Sequence, residues 1–539
     1  MNASIRFFDI TKSHIFLLLL LPVLSAQGQR WQRISIFEGS GSETCDGLEL
    51  DAQGNTFVAG TFDKTFLYAQ EVLTAKGEED IFLLKIGDNP WAKRLGSALD
   101  DEVADIAVDG NDHLLLAGTY WIEGDFDTLK LLAKRNPKAG FIAKFNENGQ
   151  VLWAKSLDGG ALKGITKVAY DLDNQIFLTG FFSDSLFLAD TILVAKGKTD
   201  LFVAKFSATG DFCWAARAGY RGDTRGMAMD ITASGDAVVA GFFNDTTQFA
   251  NTVLTANTFD RDVFVARFDN HGNLLWAKKA GGVQDDDAVA VAIGENDSIY
   301  LTGYFVGVMR LGEALQIQSS SGFADFFVAM YDPAGNPLRA RALGGSQLQQ
   351  TTDIAYANSQ IILSGFYQGT MDIDGYQFQA GAGFGSFLVG FDQNFSTLWA
   401  KDIRSDNAAF ASEVLVNQFG EVMLGGSFSG AINFDGNTPS ASNDFDIFLA
   451  TLGNPLTKLK TPRQAPHLFQ LLRNPVRTEI RIQTNLKNFE LRLFNSEGKS
   501  LRYCQNCQSL SAANLPSGSY WLVLQSEGKI QTQQVILAK

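Results

Sequence analysis

The sequence has little cysteine, histidine and positive charge. Its 539 residues include four Cys and four His, and 44 Lys and Arg stand against 59 Asp and Glu. Four cysteines are too few for a disulfide framework in a chain of this length. The net charge of −15 disfavours nucleic acid as a partner, because nucleic-acid-binding surfaces are basic. No long apolar run follows the N-terminal segment, so the mature chain is expected to lack a membrane span.

Catalytic motifs are also missing. Beyond position 26 only His113, His271 and His467 remain, and neither a G-x-S-x-G nor an H-E-x-x-H pattern occurs. No catalytic residue is nominated, and no enzyme activity is expected. A polysaccharide-acting hydrolase or lyase stays an alternative, because a glycosidase needs only two suitably spaced carboxylates.

What the sequence does have is glycine and phenylalanine, at 52 and 43 residues, within a composition that is 45% apolar and 19% charged. This composition is typical of a folded chain rather than a disordered one. It favours many short strands joined by tight turns.

The two ends of the chain differ from its middle. Residues 1–26 contain Arg6 and Lys12 followed by an apolar run, the pattern of a cleaved signal peptide. Residues 458–539 carry twelve Lys and Arg against four Glu, a net charge of +8, so residues 1–457 carry −23. This asymmetry predicts a domain boundary, with a Pro-containing linker at 458–467 and a separate domain at 468–539.

Between these ends the chain repeats itself with a period of about 61. A strand that ends in a glycine, usually followed by an aromatic pair, recurs as VAGTF, LAGTY, LTGFF, VAGFF, LTGYF, LSGFY and LGGSF. The glycines of this phrase follow one another at nearly constant intervals, at Gly60, Gly118, Gly180, Gly241, Gly303, Gly365 and Gly426. Such regularity indicates a repeat architecture.

Two further phrases recur in step with the glycine. One resembles D-[ILV]-F-[VL]-A-K and begins at Asp80, Asp200, Asp262, Asp325 and Asp446, with Ala139 and Gly385 in the other two units. The other contains Trp-Ala-Lys or a relative of it, at Trp91, Trp153, Trp214, Trp276 and Trp399, with Arg339 in the fifth unit. Both series are interpreted as structural: the aspartates as acceptors of main-chain hydrogen bonds, and the tryptophans as packing between sheets.

The repeat predicts an all-β, seven-bladed β-propeller over residues 31–457 with four-stranded antiparallel blades. The seventh unit lacks its Trp-strand, and the missing strand stands at the other end of the chain, at Trp31–Ile36. We expect this N-terminal strand to complete the last blade, because ring closure removes the exposed sheet edges.

Two resemblances accompany these patterns. The G-[FY]-F, D-[ILV]-F-[VL]-A-K and W-A-K-x-x-G-G phrases resemble the SBBP-type β-propeller repeat of secreted bacterial proteins, which implies a propeller but no single activity. The C-terminal segment contains Asn474, Pro475, Gly498, Lys499, Gly518 and Tyr520. Through these residues it resembles the type A sorting domain of the type IX secretion system, which implies a small β-sandwich; Arg473 stands where the family usually has Pro.

A second acidic series stands at a nearly fixed distance before the repeat glycines, in the loops that join one unit to the next. It comprises Glu43, Asp100, Asp101, Asp223, Asp285 and Asp286. Such loops often carry ligands, and clustered carboxylates bind calcium, but no calcium-binding loop with a closing Glu is present. Solvated turn carboxylates are the preferred interpretation, and no cofactor is expected.

The sequence therefore predicts a secreted or outer-surface protein of a Gram-negative-type bacterium that binds an extracellular protein or glycan through one rim. The type IX secretion machinery is its other expected partner. An architectural surface or adhesion component is a third alternative to the binding module and the polysaccharide-acting enzyme.

Overall fold

The computed structural model describes residues 29–539 except 257–259, 321, 442–443, 454–469, 472–478, 485, 495–499, 517, 527–528 and 538–539. The predicted signal peptide and linker therefore lie outside the described residues. The chain divides by its contacts into two compact units, Met1–Pro455 and Leu456–Lys539. All-β architecture is confirmed, since the described elements are strands apart from one short 3-10 helix.

The first unit begins with β1 (Trp31–Phe37) and continues through seven repeats. Repeat 1 contains β2 (Gly47–Leu50), β3 (Thr56–Phe62), β4 (Thr65–Tyr68), β5 (Glu71–Thr74), β6 (Asp80–Ile86) and β7 (Trp91–Leu95). Repeat 2 contains β8 (Glu102–Val108), β9 (Leu114–Trp121), β10 (Glu123–Phe126), β11 (Leu129–Leu132), β12 (Lys138–Phe145) and the first part of β13 (Val151–Tyr170). Repeat 3 contains the rest of β13, β14 (Ile176–Leu188), β15 (Thr191–Val194), β16 (Asp200–Phe206) and β17 (Phe212–Ala218).

The remaining repeats follow the same order. Repeat 4 contains β18 (Thr224–Ile231), β19 (Ala237–Phe243), β20 (Thr246–Phe249), β21 (Thr252–Thr255), β22 (Asp262–Phe268) and β23 (Leu274–Gly281). Repeat 5 contains β24 (Asp286–Ile293), the 3-10 helix Glu295–Asp297, β25 (Ile299–Phe305), β26 (Val308–Leu311), β27 (Leu315–Gln318), β28 (Asp325–Tyr331) and β29 (Pro337–Leu343). Repeat 6 contains β30 (Gln349–Ala357), β31 (Gln360–Tyr367), β32 (Thr370–Ile373), β33 (Tyr376–Gln379), β34 (Gly385–Phe391) and β35 (Thr397–Ser405). Repeat 7 contains β36 (Ala408–Val416), β37 (Val422–Ser429), β38 (Ile432–Asn433) and β39 (Asp446–Leu452).

Each repeat has an inner, a second, a third and an outer strand, paired antiparallel in that order. In repeat 1 these are β2, β3, β6 and β7, and the other repeats follow the same pairing. In repeat 7 the outer strand is β1, which pairs with β39, so that Ser35 lies opposite Leu449. The inner strands contact one another in the order β2, β8, β13, β18, β24, β30 and β36, and β36 contacts β2. The first and last repeats are therefore neighbours.

A hairpin between the second and third strands was not predicted. In repeat 1 it is formed by β4 and β5, and repeats 2 to 6 have an equivalent pair of strands. Its two-residue turn is built from Ala69 and Gln70, both with positive φ. Because this turn type normally carries Asn or Gly, its sequence signal is absent here.

The repeat glycine permits a close approach of the inner and second strands. A Cβ on Gly60 would overlap the main-chain oxygen of Thr44, and one on Gly241 would overlap that of Arg225. The residues on either side of each glycine alternate between two packed faces, and Phe57, Ala59 and Phe62 are buried. Every face of these short strands is covered, which explains their apolar character.

The second unit is small and has two antiparallel sheets. Its strands are β40 (Gln470–Leu471), β41 (Glu479–Gln483), β42 (Glu490–Phe494), β43 (Ser500–Gln505), β44 (Ser509–Ser511), β45 (Gly518–Ser526) and β46 (Lys529–Leu537). One sheet has the order β40-β41-β44 and the other β43-β42-β45-β46. Ile480 of the first sheet and Leu491 and Leu522 of the second share one core. Cys504 and Cys507 form a disulfide.

Candidate functional site

The inner strands begin at one face of the first unit, which we call the upper face. The hairpins and the connections between repeats also lie there, whereas the turns between inner and second strands lie on the opposite, lower face. The predicted acidic series falls on the upper face, in the connections that precede the inner strands. Its members are spread over the connections to repeats 1, 2, 4 and 5, so the structure does not bring the six residues together in one site.

Three of these carboxylates are buried and accept hydrogen bonds from the main chain of the loops in which they lie. Glu43, Asp101 and Asp286 are each 0% exposed. Asp286 accepts a hydrogen bond at 2.7 Å from the main-chain N–H four residues earlier, on Gly282, and Glu43 and Asp101 do the same. Burial raises their pKa values, to about 8 for Glu43 and Asp286 and to about 7 for Asp101. Their geometry suits loop folding better than ligand capture.

The other three differ from one another. Asp100 is exposed. Asp285 accepts hydrogen bonds from the side chain and main chain of Arg261 at 2.9 and 3.0 Å, and the Arg261 side chain lowers its pKa. Asp223 accepts from Thr199 at 2.8 Å; although burial opposes the shift, hydrogen bonds from Thr199 and Lys198 lower its pKa.

Repeat 6 shows which residue the acidic pattern missed. Gln349 occupies the slot of Asp286 and accepts at 2.8 Å from the N–H of Gly345. In repeat 6 an amide oxygen therefore accepts the hydrogen bond that a carboxylate accepts in repeats 1, 2 and 5. An alignment of the repeats by their hydrogen-bond slots, rather than by charge, would have found it.

The third-strand aspartates accept main-chain hydrogen bonds at the ends of the hairpins. Asp200 accepts from the N–H groups of Lys196 and Gly197 at 2.9 and 2.8 Å and pairs with Arg217 at 2.6 Å. Asp80 has the equivalent partners in repeat 1, and Asp325 accepts from Ser320. Asp80, Asp200 and Asp325 thus each tie a hairpin to its sheet.

In repeat 2, where Ala139 replaces the aspartate, another residue takes over the role. Asp158 of the outer strand accepts from the N–H groups of Lys134 and Arg135 at 2.9 and 3.3 Å. In repeat 6, Gly385 leaves room for the ring of Tyr367, which donates to Asp402 at 2.5 Å. The two departures from the repeat therefore have local structural causes.

The outer-strand tryptophans link neighbouring repeats. Trp214 donates at 2.9 Å to the main-chain oxygen of Asn270 in the next repeat, and its ring covers Gly272 in the same turn. Trp91 and Trp276 make equivalent bonds at 3.1 and 3.0 Å, and Arg339 replaces them in repeat 5 by donating to Gln393 at 2.5 Å. Trp153 covers Gly210 in the same way, while Trp399 packs on Gly390.

A charged cluster on the inner strands was not predicted. Lys167 lies 3.3 Å from Asp105 and 3.6 Å from Glu413. Although burial opposes it, these two carboxylates raise the pKa of Lys167, and burial raises the pKa of Glu413. Asp105, Asp230 and Asp353 each accept a main-chain N–H from the inner strand of the next repeat, at 2.9, 2.7 and 2.9 Å. The cluster thus holds the inner strands to one another.

The upper face also carries a ring of side chains from three equivalent positions: at the start of the inner strand, after the repeat glycine, and before the third strand. In repeats 1 and 2 they are polar: Thr44, Thr61, Glu79, Glu102, Thr119 and Lys138. In repeats 3 to 7 they include Phe181, Arg225, Phe242, Arg261, Tyr304, Phe366, Phe384, Phe410 and Phe445, which we call the aromatic–arginine arc.

The side chains of the arc contact one another. Arg225 lies over the rings of Phe181 and Phe242, at 4.6 and 5.4 Å from their centroids, and Arg261 lies 5.1 Å over Phe242. Such placement favours binding of the guanidinium by the ring face. Arg261 also pairs with Asp287 at 2.8 Å, to which Tyr304 donates.

The arc continues as four half-buried phenylalanines in repeats 6 and 7. The ring of Phe410 lies 5.3 Å from Phe366, 5.2 Å from Phe384 and 6.0 Å from Phe445. The repeat phrases already contained this signal, because the residue after the glycine changes from Thr in repeats 1 and 2 to Phe, Phe, Tyr and Phe in repeats 3 to 6.

Neither a metal centre nor a membrane-spanning helix is found in the described part of the chain. No three His, Cys, Asp or Glu side chains among the described residues are grouped closely enough to hold a metal ion. No helix of the described ranges is long and apolar enough to cross a bilayer.

Comparison with known families decides the nature of the second unit. Residues 473–538 match the secretion system C-terminal sorting domain. The second unit is a type IX sorting domain. It indicates a secreted or cell-surface protein, as predicted. Asn474, Pro475, Gly498 and Lys499 lie outside the described residues, whereas Gly518 lies in β45 and Tyr520 donates at 2.9 Å to the main-chain oxygen of Pro516.

The chain is similar to proteins of two further kinds. An uncharacterized WD repeat-containing protein of Acanthamoeba polyphaga mimivirus is 25% identical over 446 residues, which cover 67% of this chain and 32% of the relative. The regulatory protein FlaEY of Caulobacter vibrioides is 26% identical over 175 residues, covering 31% of this chain and 18% of the relative. The chain thus spans a third or less of the length of these two relatives.

Solved structures give weak matches. The extracellular domain of a one component system of B. thetaiotaomicron is 11% identical, with a TM-score of 0.20 and coverage of 95% of this chain and 98% of that chain. The phage phi92 endosialidase is 9% identical, with a TM-score of 0.34 and coverage of 78% and 69%. TM-scores this low carry no weight for the fold or the function.

Proposed function

We propose that the first unit is a seven-bladed β-propeller of the SBBP repeat type that acts as a secreted or cell-surface binding module. Its support is the cyclic contact order of seven inner strands together with the pairing of β1 with β39. The mimivirus relative is named for WD repeats, a class whose repeats form four-stranded blades, which is compatible with this architecture.

The aromatic–arginine arc is the proposed contact surface for the extracellular protein or glycan. The observation that carries this is the departure from the repeat: equivalent positions are Thr, Glu and Lys in repeats 1 and 2 but aromatic or Arg in most of repeats 3 to 7. A structural requirement of the fold would act on all repeats alike. Aromatic residues and Arg are the side chains most enriched at binding hot spots.

A binding screen of the secreted full chain against extracellular glycans and surface proteins tests this function. Phe366→Thr and Phe384→Thr install residues that other repeats carry at these positions, so the fold should tolerate them. Both variants are expected to lose captured ligand by about tenfold, whereas Thr119→Val on the polar side serves as the control and retains it. Capture that both phenylalanine variants leave unchanged would contradict the proposal, as would turnover of a polysaccharide by the protein.

The sorting domain is proposed to deliver this module and then to be cleaved or used as an anchor. The domain has its own core, and together with the linker it carries a net charge of +8, whereas residues 1–457 carry −23. Deletion of residues 468–539 should leave the protein in the periplasm, as measured by fractionation and protease accessibility of whole cells. Normal surface delivery of the truncated chain would contradict this role.

A further inference from the structure

A cavity of about 450 Å³ lies on the lower face, where repeat 7 meets repeat 1. We call this the seam cavity. Its walls are the turn of repeat 1 at 51–54, the turn of repeat 7 at 417–421, the outer strand β1 and the end of β39. Its volume is in the range of small-molecule sites in proteins.

A short residue lines the cavity at a position that carries a long cation in repeats 1 to 4 and Met330 or Gly390 in repeats 5 and 6. In repeats 1 to 4 the fifth residue after the third-strand aspartate slot is Lys85, Lys144, Lys205 or Arg267. Each of these four side chains is buried and reaches the turn of the next repeat; Lys144, for example, lies 3.2 Å from the main-chain oxygen of Ala208 and 2.8 Å from Asp109. In repeat 7 the residue is Thr451, which lines the cavity instead of filling it.

The side chains around the cavity suit a carbohydrate. Gln53, Gln418 and Arg33 line it and are exposed, and they supply amide and guanidinium groups for pairs of hydroxyls. Phe419 also lines it and is 68% exposed at the tip of its turn. The equivalent tips in repeats 1 to 4 are Gln53, Asn111, Asp173 and Ser234, so the aromatic residue occurs only beside the cavity among these turns.

Both turns are held in place before any ligand arrives. The Asn417 side-chain oxygen accepts from the N–H groups of Phe419 and Glu421 at 2.9 and 3.0 Å. On the facing wall, Asp51 accepts from Gln53 and Asn55 at 3.0 and 2.7 Å. Preorganised walls lower the entropic cost of binding.

We propose that the seam cavity binds a pyranose unit of an extracellular glycan. Phe419 stacks on the apolar face of the sugar ring, and Arg33 with the two glutamines binds its hydroxyl groups. This site lies on the face opposite the aromatic–arginine arc and does not depend on the function proposed for that arc.

The proposal is tested by isothermal titration calorimetry and saturation-transfer NMR of the full chain. The probes are cellohexaose, which is neutral, and hexagalacturonic acid, which is acidic. Saturable binding of at least one probe is expected. Phe419→Ser, which installs the residue found at this tip in repeat 4, should weaken it about tenfold. Leu172→Ser is the matched control, since Leu172 is 83% exposed in the equivalent turn of repeat 3.

A second variant fills the site without removing a contact. Thr451→Lys installs the residue of repeats 1 to 3, which can pair with Glu421 and should close the cavity, so binding is lost while the melting temperature is kept or raised. Absence of saturable binding to both probes, or binding that both Phe419→Ser and Thr451→Lys leave unchanged, would overturn the proposal. Loss of binding in Phe366→Thr with retention in Phe419→Ser would assign the glycan to the upper face instead.

Discussion

The junction between repeats 3 and 4 and the junction between repeats 7 and 1 use the same strands but different side-chain links. At the first, the side chains of Trp214 and Lys205 both donate to Asn270 of repeat 4. At the second, the indole N–H of Trp31 has no hydrogen-bond partner among the described residues, and Thr451 stands in the place of the lysine. The junction between repeats 7 and 1, which we call the seam, therefore lacks these two links. Other side chains connect it: Ser427 accepts from the N–H of Cys45 at 3.2 Å, and Lys64 pairs with Asp444 at 3.7 Å.

This difference shows which interactions stabilise the junction between the first and last repeats. At the seam the β1–β39 pairing and the apolar contacts of Ile34 and Ile36 with the repeat 7 core carry the connection. At the junctions that follow repeats 1 to 4 a buried cation supplements such contacts, and after repeats 1, 3 and 4 a tryptophan hydrogen bond does so as well. The seam should therefore be the most sensitive to loss of its strand and the least sensitive to loss of its polar side chains.

Deletion of Trp31–Ile36 should have the largest effect. It removes the outer strand of repeat 7 and exposes the edge of β39 and part of the core around Phe448, so the melting temperature should fall by more than ~10 °C. Thermal unfolding followed by circular dichroism measures it. Deletion of residues 468–539, which belong to the second unit, is the control and should leave this transition in place. An unchanged melting temperature in the strand deletion would contradict the claim that β1 completes repeat 7 and stabilises the unit.

Asp158→Ala should destabilise repeat 2 by about 2 kcal/mol, because two main-chain N–H groups lose their acceptor. Denaturant unfolding measures the loss. The double variant Ala139→Asp/Asp158→Gly restores the residues that repeats 1 and 3 carry and should recover most of the stability. If the double variant is no more stable than Asp158→Ala, the two positions do not share one role.

Trp214→Phe and Trp31→Phe compare the two junctions directly. The first loses the bond to Asn270 and should cost about 1 kcal/mol, whereas the second loses no bond and should cost less than half of that. Both free energies come from the same denaturant titration. Equal costs would mean that the seam and the continuous junction are linked alike.

The smallest effect concerns pH. Burial raises the pKa of Asp286 from 3.8 to about 8, so its neutral form stabilises the fold below about pH 4 and this contribution is lost as the pH rises through 8. Asp286→Asn keeps an acceptor for Gly282, as Gln349 does in repeat 6. At pH 9 the variant should melt ~2 °C above the wild type, and at pH 4 it should have no advantage. An equal rise in the melting temperature of the variant at pH 9 and at pH 4 would contradict the raised pKa of Asp286.

Much of this arrangement was predictable from the sequence because it repeats. The glycine, aspartate and tryptophan series reveal strands whose spacing is set by the chain itself, and the missing Trp-strand of repeat 7 points to residues 31–36. The hairpin of repeat 1 was missed because Ala69-Gln70 carries no Asn-Gly or Asp-Gly signal, whereas in repeat 6 the signal was present as Asp374-Gly375 and was overlooked. The role of Asp158 was missed because it replaces a residue on a different strand, which only the folded sheet brings near.

The candidate sites were predictable only in part. Acidic residues in the connections were recognised as a series, but burial turned Glu43, Asp101 and Asp286 into loop-forming groups, and burial depends on neighbouring repeats. The Lys167 cluster and the seam cavity join residues from repeats that are distant in the chain. The aromatic–arginine arc was visible in the repeat phrases, as the change from Thr61 and Thr119 to Phe181 and Phe242.

Hydrogen–deuterium exchange of the peptide covering residues 31–37 tests the central claim most directly. The amides of β1 which bond to β39 should exchange as slowly as those of β23, the outer strand of repeat 4, up to residue 279, because over this length each strand pairs with one neighbour. Exchange of all β1 amides at the rate of an unstructured peptide, with β23 protected, would show that the N-terminal strand does not close the unit.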